Sequence, residues 1–336
     1  MTARFLLDEP IRRFATAIGW IAAFVVGGFV ATFLLGLVIP APAGSPWRLA
    51  GDAGAQALGF GLATWGIGRL AAKRSWAELG WGPYHVREFL GEILRRAGLG
   101  AALAVLAIVL AVASGARLGL TPDWVRYDDI LVPVAVGLFL AALFEELLFR
   151  GFPLRTMADA IGAWPATLLL AVGFGMAHVG QGGGFLGMVN IALAAVWLSV
   201  AFFSPGRMPA AVGLHFGWNA GLALLFDAPV SGLTFNVPVV DYAPGQLGFL
   251  DGGTFGPEGG LVGTVAFAAG VFALAGGQWR RVQRWLEGTG GLVRAPVARP
   301  LRPSGGLPPR PVVKPKGPPR GPGGPGRGPT GARRPR

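Results

Sequence analysis

Cysteine is absent from the sequence, which excludes disulfide frameworks, thiolate-ligated zinc and thiol catalysis. Histidine is nearly as scarce, with three in 336 residues, His85, His178 and His215, so any imidazole chemistry has few possible sources. Charge is thin as well: Asp, Glu, Lys and Arg make up 14% of the chain, against ~25% in soluble globular proteins. A soluble fold with so few charges could not cover its surface. With 52% hydrophobic residues and a mean hydropathy of +0.54, the chain reads as an integral membrane protein. One region lacks acidic residues altogether. Leu292–Arg336 holds eleven Lys and Arg and no Asp or Glu, and so carries +11 of the net +12. The basic character belongs to a tail and not to a nucleic-acid-binding domain, and no nucleic-acid partner is expected.

What the chain does have is long uncharged runs. A spanning helix needs ~20 mostly apolar residues, and the sequence predicts eight: Phe14–Ile39, Ala53–Ala72, Ala97–Ala116, Ile130–Phe149, Ala163–His178, Phe185–Phe203, Pro209–Phe226 and Gly259–Trp279. The first is followed by Ala41-Pro42-Ala43, which resembles a signal-peptide cleavage site, but its 26 residues far exceed the ~7–15 of a signal sequence core. It reads as a retained span. The expected fold is an all-α polytopic membrane helix bundle of about eight transmembrane helices with a disordered C-terminal tail. Residues 1–13 form a cytoplasmic N-terminus, 14–291 the bundle and 292–336 the tail.

Arg4, Arg12, Arg13, Lys73, Arg74, Arg87, Arg95, Arg96 and the tail fall on one side of that arrangement, whereas Asp227–Glu258 contains four acids and no Lys or Arg. The positive-inside rule then puts both termini in the cytoplasm, and a bacterial-type plasma membrane is the expected location. The Pro-, Gly- and Arg-rich tail cannot bury a core. It reads as a solvated tether, with contact to anionic lipid or a Pro-binding partner as further expectations.

Ionisable groups inside spans are costly and usually mark function. The fourth span ends in Phe144-Glu145-Glu146-Leu147-Leu148-Phe149-Arg150, the fifth in Phe174-Gly175-Met176-Ala177-His178, and the seventh contains His215-Phe216-Gly217-Trp218-Asn219. Glu146 and Arg150 are spaced i, i+4 in the favoured order for a helical ion pair. Glu145 points about 100° around the helix, out of easy reach of that arginine. One carboxylate is thus left to act on something else. His215 and Asn219 share a face, about 200° from the small-residue stripe Gly213, Gly217 and Gly221, which reads as a packing surface. Asn190 reads as an interhelical hydrogen-bond donor and His85 as a loop residue. A carboxylate, two imidazoles and an amide can activate water. Two His and one Glu (Glu145, His178, His215) are also a catalytic zinc set, so zinc is the cofactor candidate beside a metal-free site. No His-Glu-x-x-His helix is present.

In this order, Glu145-Glu146-x-x-x-Arg150, Phe174-x-x-x-His178 and His215-x-x-x-Asn219 resemble the CAAX-protease and bacteriocin-processing family of intramembrane proteases, which includes the type II CAAX prenyl endopeptidases. The resemblance covers roughly residues 131–226. It implies an eight-helix, glutamate-dependent endopeptidase acting on membrane-associated substrates, prenylated or bacteriocin- or pheromone-like. It also implies that Glu145 activates water with His178 assisting or binding metal, that His215 and Asn219 serve metal ligation or an oxyanion hole, and that Glu146 and Arg150 support them. The competing expectations are a transporter with a Glu/His relay and an inactive scaffold of the same fold.

One difficulty is visible in the sequence. Glu145 lies about four residues from the end of its span, whereas His178 lies fifteen residues beyond Ala163, roughly 22 Å deeper at ~1.5 Å per residue. Either the fourth helix extends further, or Gly151–Gly162 dips into the bundle as irregular backbone around a water cavity. The second is the expectation.

Overall fold

The structure, a computed structural model, describes residues 2–38, 44–277 and 279–287. The Ala41-Pro42-Ala43 segment and the basic tail lie outside the described residues, which fall within one compact unit spanning 1–295. Helices α1 (Thr2–Val38), α2 (Arg48–Ala63, continued by a π-helical stretch Thr64–Ala71), α3 (Val86–Ala113), α4 (Trp124–Phe149), α5 (Phe152–Ile161), α6 (Ala163–Ala177), α7 (Gly184–Phe203) and α8 (Arg207–Phe226) are followed by a folded connection. The chain then ends in α10 (Leu261–Leu274) and α11 (Trp279–Glu287), with a single turn, α9 (Gly248–Asp251), before them. Among the described residues, five helices are long and apolar enough to cross a membrane, within Glu9–Gly36, Val86–Ala113, Trp124–Ile161, Gly184–Phe203 and Arg207–Phe226. Two more of the eight expected spans, α6 and α10, have 15 and 14 residues. At ~1.5 Å per residue they are shorter than a ~30 Å hydrocarbon core. The remaining one is the α2 rod with its π-helical end.

Burial ranks the helices. The apolar stretches of α7 and α8 are 61% and 72% buried, that of α1 only 11%, so α7 and α8 form the centre and α1 presents Phe29, Val30, Phe33 and Leu37 outward. What lets α8 sit centrally is its glycine stripe. A Cβ at Gly213 would stand 2.5 Å from the Ile93 carbonyl oxygen, one at Gly217 would overlap the Ala97 carbonyl, and one at Gly221 would lie 2.8 Å from Ala104 Cβ. All three neighbours belong to α3, and Gly100 of α3 returns the fit against Leu214. The two backbones touch because no side chains hold them apart. Around this seam the largest core cluster gathers Trp197, Trp218, Leu214 and Phe267.

The connection from Asp227 to Gly260 is not an open loop. Strands β1 (Arg117–Leu120) and β2 (Val240–Ala243) pair antiparallel, Arg117 opposite Ala243, and Tyr242 donates to the Asp251 carbonyl at 3.2 Å. The described residues before the tail form α11, which buries Val282 while Arg280 and Arg284 stay exposed.

The depth difficulty resolves differently from the expectation. Gly151–Gly162 is not irregular. Arg150 and Gly151 both donate to the Glu146 carbonyl, at 2.8 and 3.0 Å, a two-residue interruption after which α5 carries the apolar helical path on to Ile161. Gly162, at φ +88°, reverses the chain in a conformation suited to glycine, and α6 packs back on α5. Glu146 and His178 stand equally far from Gly162 along the chain, so the return brings His178 to the level of the carboxylates.

Gly217→Ala is expected to lower the thermal midpoint of the purified protein, costing about 1–3 kcal/mol as an overpacked core substitution does. Gly61→Ala, where a Cβ meets nothing within 4 Å, is expected to leave the midpoint unchanged or raise it. Equal midpoints would contradict the close α3–α8 contact.

Candidate active site

The end of α4 sets the site. Glu146 is fully buried, and its Oε1 accepts from Arg150 Nη1 at 3.0 Å and from His215 Nδ1 at 2.9 Å. An ionised carboxylate can only accept, so this pairing assigns the Nδ1 proton of His215 and directs its Nε2 the other way. Nε2 faces Glu145 Oε2 at 3.6 Å, beyond direct hydrogen-bond range. Glu145 keeps 26% of its side chain exposed, in contrast to its neighbour. One helix position thus separates a carboxylate locked in an ion pair from one that is not.

Phe174 is the surface on which the other groups meet. Its ring lies 4.8 Å from the tilted ring of His178 and 6.3 Å from His215, edge-on, and the Arg150 guanidinium lies 4.5 Å from its centre. That explains the Phe-x-x-x-His spacing: one α6 turn places the ring under the imidazole, whose Nδ1 lies 2.8 Å from the Phe174 carbonyl oxygen. Glu145, His178, His215 and Asn219 all line one cavity of about 110 Å³, whose other walls are mostly apolar groups such as Leu138, Leu198 and Phe235, with Gln181, Ser231 and Glu258 among them. Glu146 and Arg150 stand behind it. The six residues singled out in the sequence therefore converge, four at the cavity wall and two as an ion pair beneath.

The donor chemistry of His178, His215 and Glu145 suits zinc, since both imidazoles have Nδ1 engaged and Nε2 left over, the usual support for a ligating histidine. The positions do not close around an ion: among the described residues no three His, Asp or Glu side chains are gathered tightly enough to hold a metal.

Residues 127–221 match the family model described as type II CAAX prenyl endopeptidase Rce1-like. The resemblance carried by the three motifs is thereby shown. The matched segment runs from α4 into α8, under a third of the chain, and contains all six of those residues. No curated protein matches the chain. The likeness to the Rce1-like endopeptidases implies a hydrolase acting on peptide bonds in an integral membrane protein.

Sequence reading missed the second acid of the cavity, Glu258, which lies outside the matched segment. It is 4% exposed, accepts from Trp218 Nε1 at 2.8 Å and from the Ser231 hydroxyl at 2.9 Å, and lines the same cavity. Asn190 fixes the backbone beside it, donating to the Glu258 and Gly260 carbonyls at 2.9 and 2.8 Å while accepting from Thr264. Asn190 therefore serves packing, as read, but of the loop that covers the site. The signal available was an acid with no basic neighbour at the foot of the last apolar run.

Arg150→Ala is expected to lower stability by about 3–5 kcal/mol, because it leaves Glu146 buried without its cation. Arg155→Ala should cost less: its partner Asp159 is 29% exposed and is also held by Arg74 at 2.8 Å. Thermal midpoints of the two variants in one detergent check this, and equal values would argue against the buried pair.

Proposed function

We propose that this protein is an intramembrane endopeptidase of the CAAX-protease type in which Glu145 activates the attacking water. The observation that carries the reading is the division of labour at the end of α4: Glu146 is occupied by Arg150 and His215, while Glu145 faces the cavity opposite His215 Nε2. In this mechanism a water between Glu145 and the imidazoles gives its proton to Glu145 as its oxygen attacks the scissile carbonyl. Glu145 then returns the proton to the departing amine. A positioned general base contributes ~10²–10⁴ in rate. Asn219 supplies a hydrogen bond to the oxyanion, a donor of this kind being worth ~10²–10³, and an imidazole adds a second from Nε2 only in its doubly protonated form, since Nδ1 is already engaged. Glu146 and Arg150 act through His215 by holding its orientation. The apolar part of the cavity wall, such as Leu138, Leu198 and Phe235, supports a membrane-associated substrate, prenylated or bacteriocin- or pheromone-like, with cleavage near a C-terminus or within a span.

The wider arrangement belongs to the same proposal: both termini on the cytoplasmic face of a bacterial-type plasma membrane, a catalytic core at about 131–226, and a tail from Leu292 that is dispensable for turnover of a short peptide. Zinc held by Glu145, His178 and His215 is the second reading, favoured by the donor set alone. Metal analysis of the purified protein decides it: stoichiometric zinc lost in His178→Ala and His215→Ala would support that reading, and metal-free active protein would remove it.

Peptide cleavage in nanodiscs is the test of the main reading. Glu145→Ala is expected to abolish turnover with a thermal midpoint near that of the unaltered protein, since it removes a carboxylate with no close ion-pair partner. Asn219→Ala is expected to lower kcat by ~10²–10³. Retained turnover in Glu145→Ala would sink the water-activating role, and no cleavage by the folded unaltered protein would favour the scaffold or transporter alternatives.

A further inference from the structure

Two adjoining hollows of about 370 and 280 Å³ open between α1, α5 and the connection that follows α2, and they share Trp20, Arg74 and Thr156. Arg12 and Arg13 line one, Lys73 the other. The three elements reach this place from the same side. Arg12 and Arg13 precede the apolar run of α1, Lys73 and Arg74 follow the last helical residue after α2, and α5 follows the end of α4. The hollows therefore sit where the bundle leaves the hydrocarbon, at headgroup level, and Trp20 is the residue type that belongs there.

The charges do not cancel. Five cations, Arg12, Arg13, Lys73, Arg74 and Arg155, meet three acids: Glu9 beside Arg12 and Arg13, Glu78 beside Arg74, and Asp159 between Arg74 and Arg155. Among the described side chains here two positive charges remain. Burial works against ionisation of Glu78, yet its bonds from Ser75 and Arg74 outweigh that and hold its pKa below the ordinary carboxylate value, so this acid is charged and engaged. Lys73 adopts φ +56°, a left-handed conformation uncommon outside glycine and concentrated at functional sites.

The second, independent observation is Thr156. It is 6% exposed, its hydroxyl has no hydrogen-bond partner, and it lines both hollows. A mid-helix threonine ordinarily bonds the carbonyl one turn back, and an unmade buried hydroxyl bond costs about 1–3 kcal/mol. A donor left open among arginines is an arrangement for an oxygen acceptor of negative charge.

We infer that these hollows form a binding site for a phosphate-bearing anion, with Thr156 donating to a phosphoryl oxygen and Arg12, Arg13 and Arg74 around it. The position at the bundle's rim points to the headgroup of an anionic phospholipid, and free phosphate shares the same chemistry. The site is separate from the cavity of Glu145 and holds whether or not that cavity hydrolyses peptides.

Native mass spectrometry of the full chain in detergent, titrated with phosphatidylglycerol and separately with phosphatidylcholine, tests the proposal. Tighter binding of phosphatidylglycerol is expected. Thr156→Val should weaken it about tenfold, the value of one hydrogen bond to a charged group. The double variant Arg12→Gln/Arg13→Gln should weaken it about 5- to 30-fold, at ~1 kcal/mol for each basic residue near a lipid surface. Thr156→Val keeps the side-chain shape and removes no existing bond, so its lipid-free thermal midpoint should equal that of the unaltered protein. Inorganic phosphate is the third arm: competition with phosphatidylglycerol supports a site that free phosphate also fills, and absence of competition supports one that needs the lipid. Equal binding of the two lipids, or unchanged phosphatidylglycerol binding in both variants, would overturn the proposal.

Discussion

A guanidinium withdrawn from water inside an apolar bundle must be matched by a carboxylate, and the converse holds for the carboxylate. Arg150 is 1% exposed and Glu146 fully buried, so neither tolerates the loss of the other. Much else near the cavity follows from this pair. It stands at the end of α4, where the backbone N–H groups of Arg150 and Gly151 both turn to the Glu146 carbonyl. The pair orients His215 through Nδ1 and, through the ring of Phe174, lies beside His178. It also takes Glu146 out of chemistry, which leaves Glu145 as the only one of the adjacent carboxylates facing the cavity.

The pair has value only if α8 comes close enough to present His215 and Asn219, and that depends on glycine. Gly213, Gly217 and Gly221 seat α8 against the α3 backbone, with the imidazole and amide on another side, as the helical offset requires. The opposite wall is held by polar bonds that sequence separation conceals. Glu258 ties Trp218 to Ser231, and Asn190 holds the carbonyls beside it. The cavity is thus lined by two buried or half-buried acids in very different states: Glu258 saturated by donors, Glu145 open.

Local periodicity made much of this legible. The Glu146–Arg150 pair, the divergence of Glu145 and the common face of His215 and Asn219 all follow from 3.6 residues per turn, and the all-α membrane character follows from the scarcity of charge. What periodicity could not reveal depends on chain reversal and on distant partners. The level shared by Glu145 and His178 required a helix that persists past Gly151 and turns at Gly162. The pairing of β1 with β2 joins connections more than a hundred residues apart, and Glu258 reaches the cavity only because the Asp227–Gly260 segment folds back over it. The short length of α10 was hidden because the apolar run Gly259–Trp279 extends past both helix ends, whereas the Ala163–His178 run already showed that α6 is short.

The central claim is that two adjacent carboxylates have opposite roles, one reactive and one structural. Measuring thermal midpoint and peptide turnover side by side for Glu145→Gln and Glu146→Gln, in the same nanodiscs, separates them most directly. The expected result is a Glu145→Gln protein with an undisturbed midpoint and no turnover, and a Glu146→Gln protein with a clearly lowered midpoint. Turnover surviving in Glu145→Gln, or an unchanged midpoint in Glu146→Gln, would contradict the account.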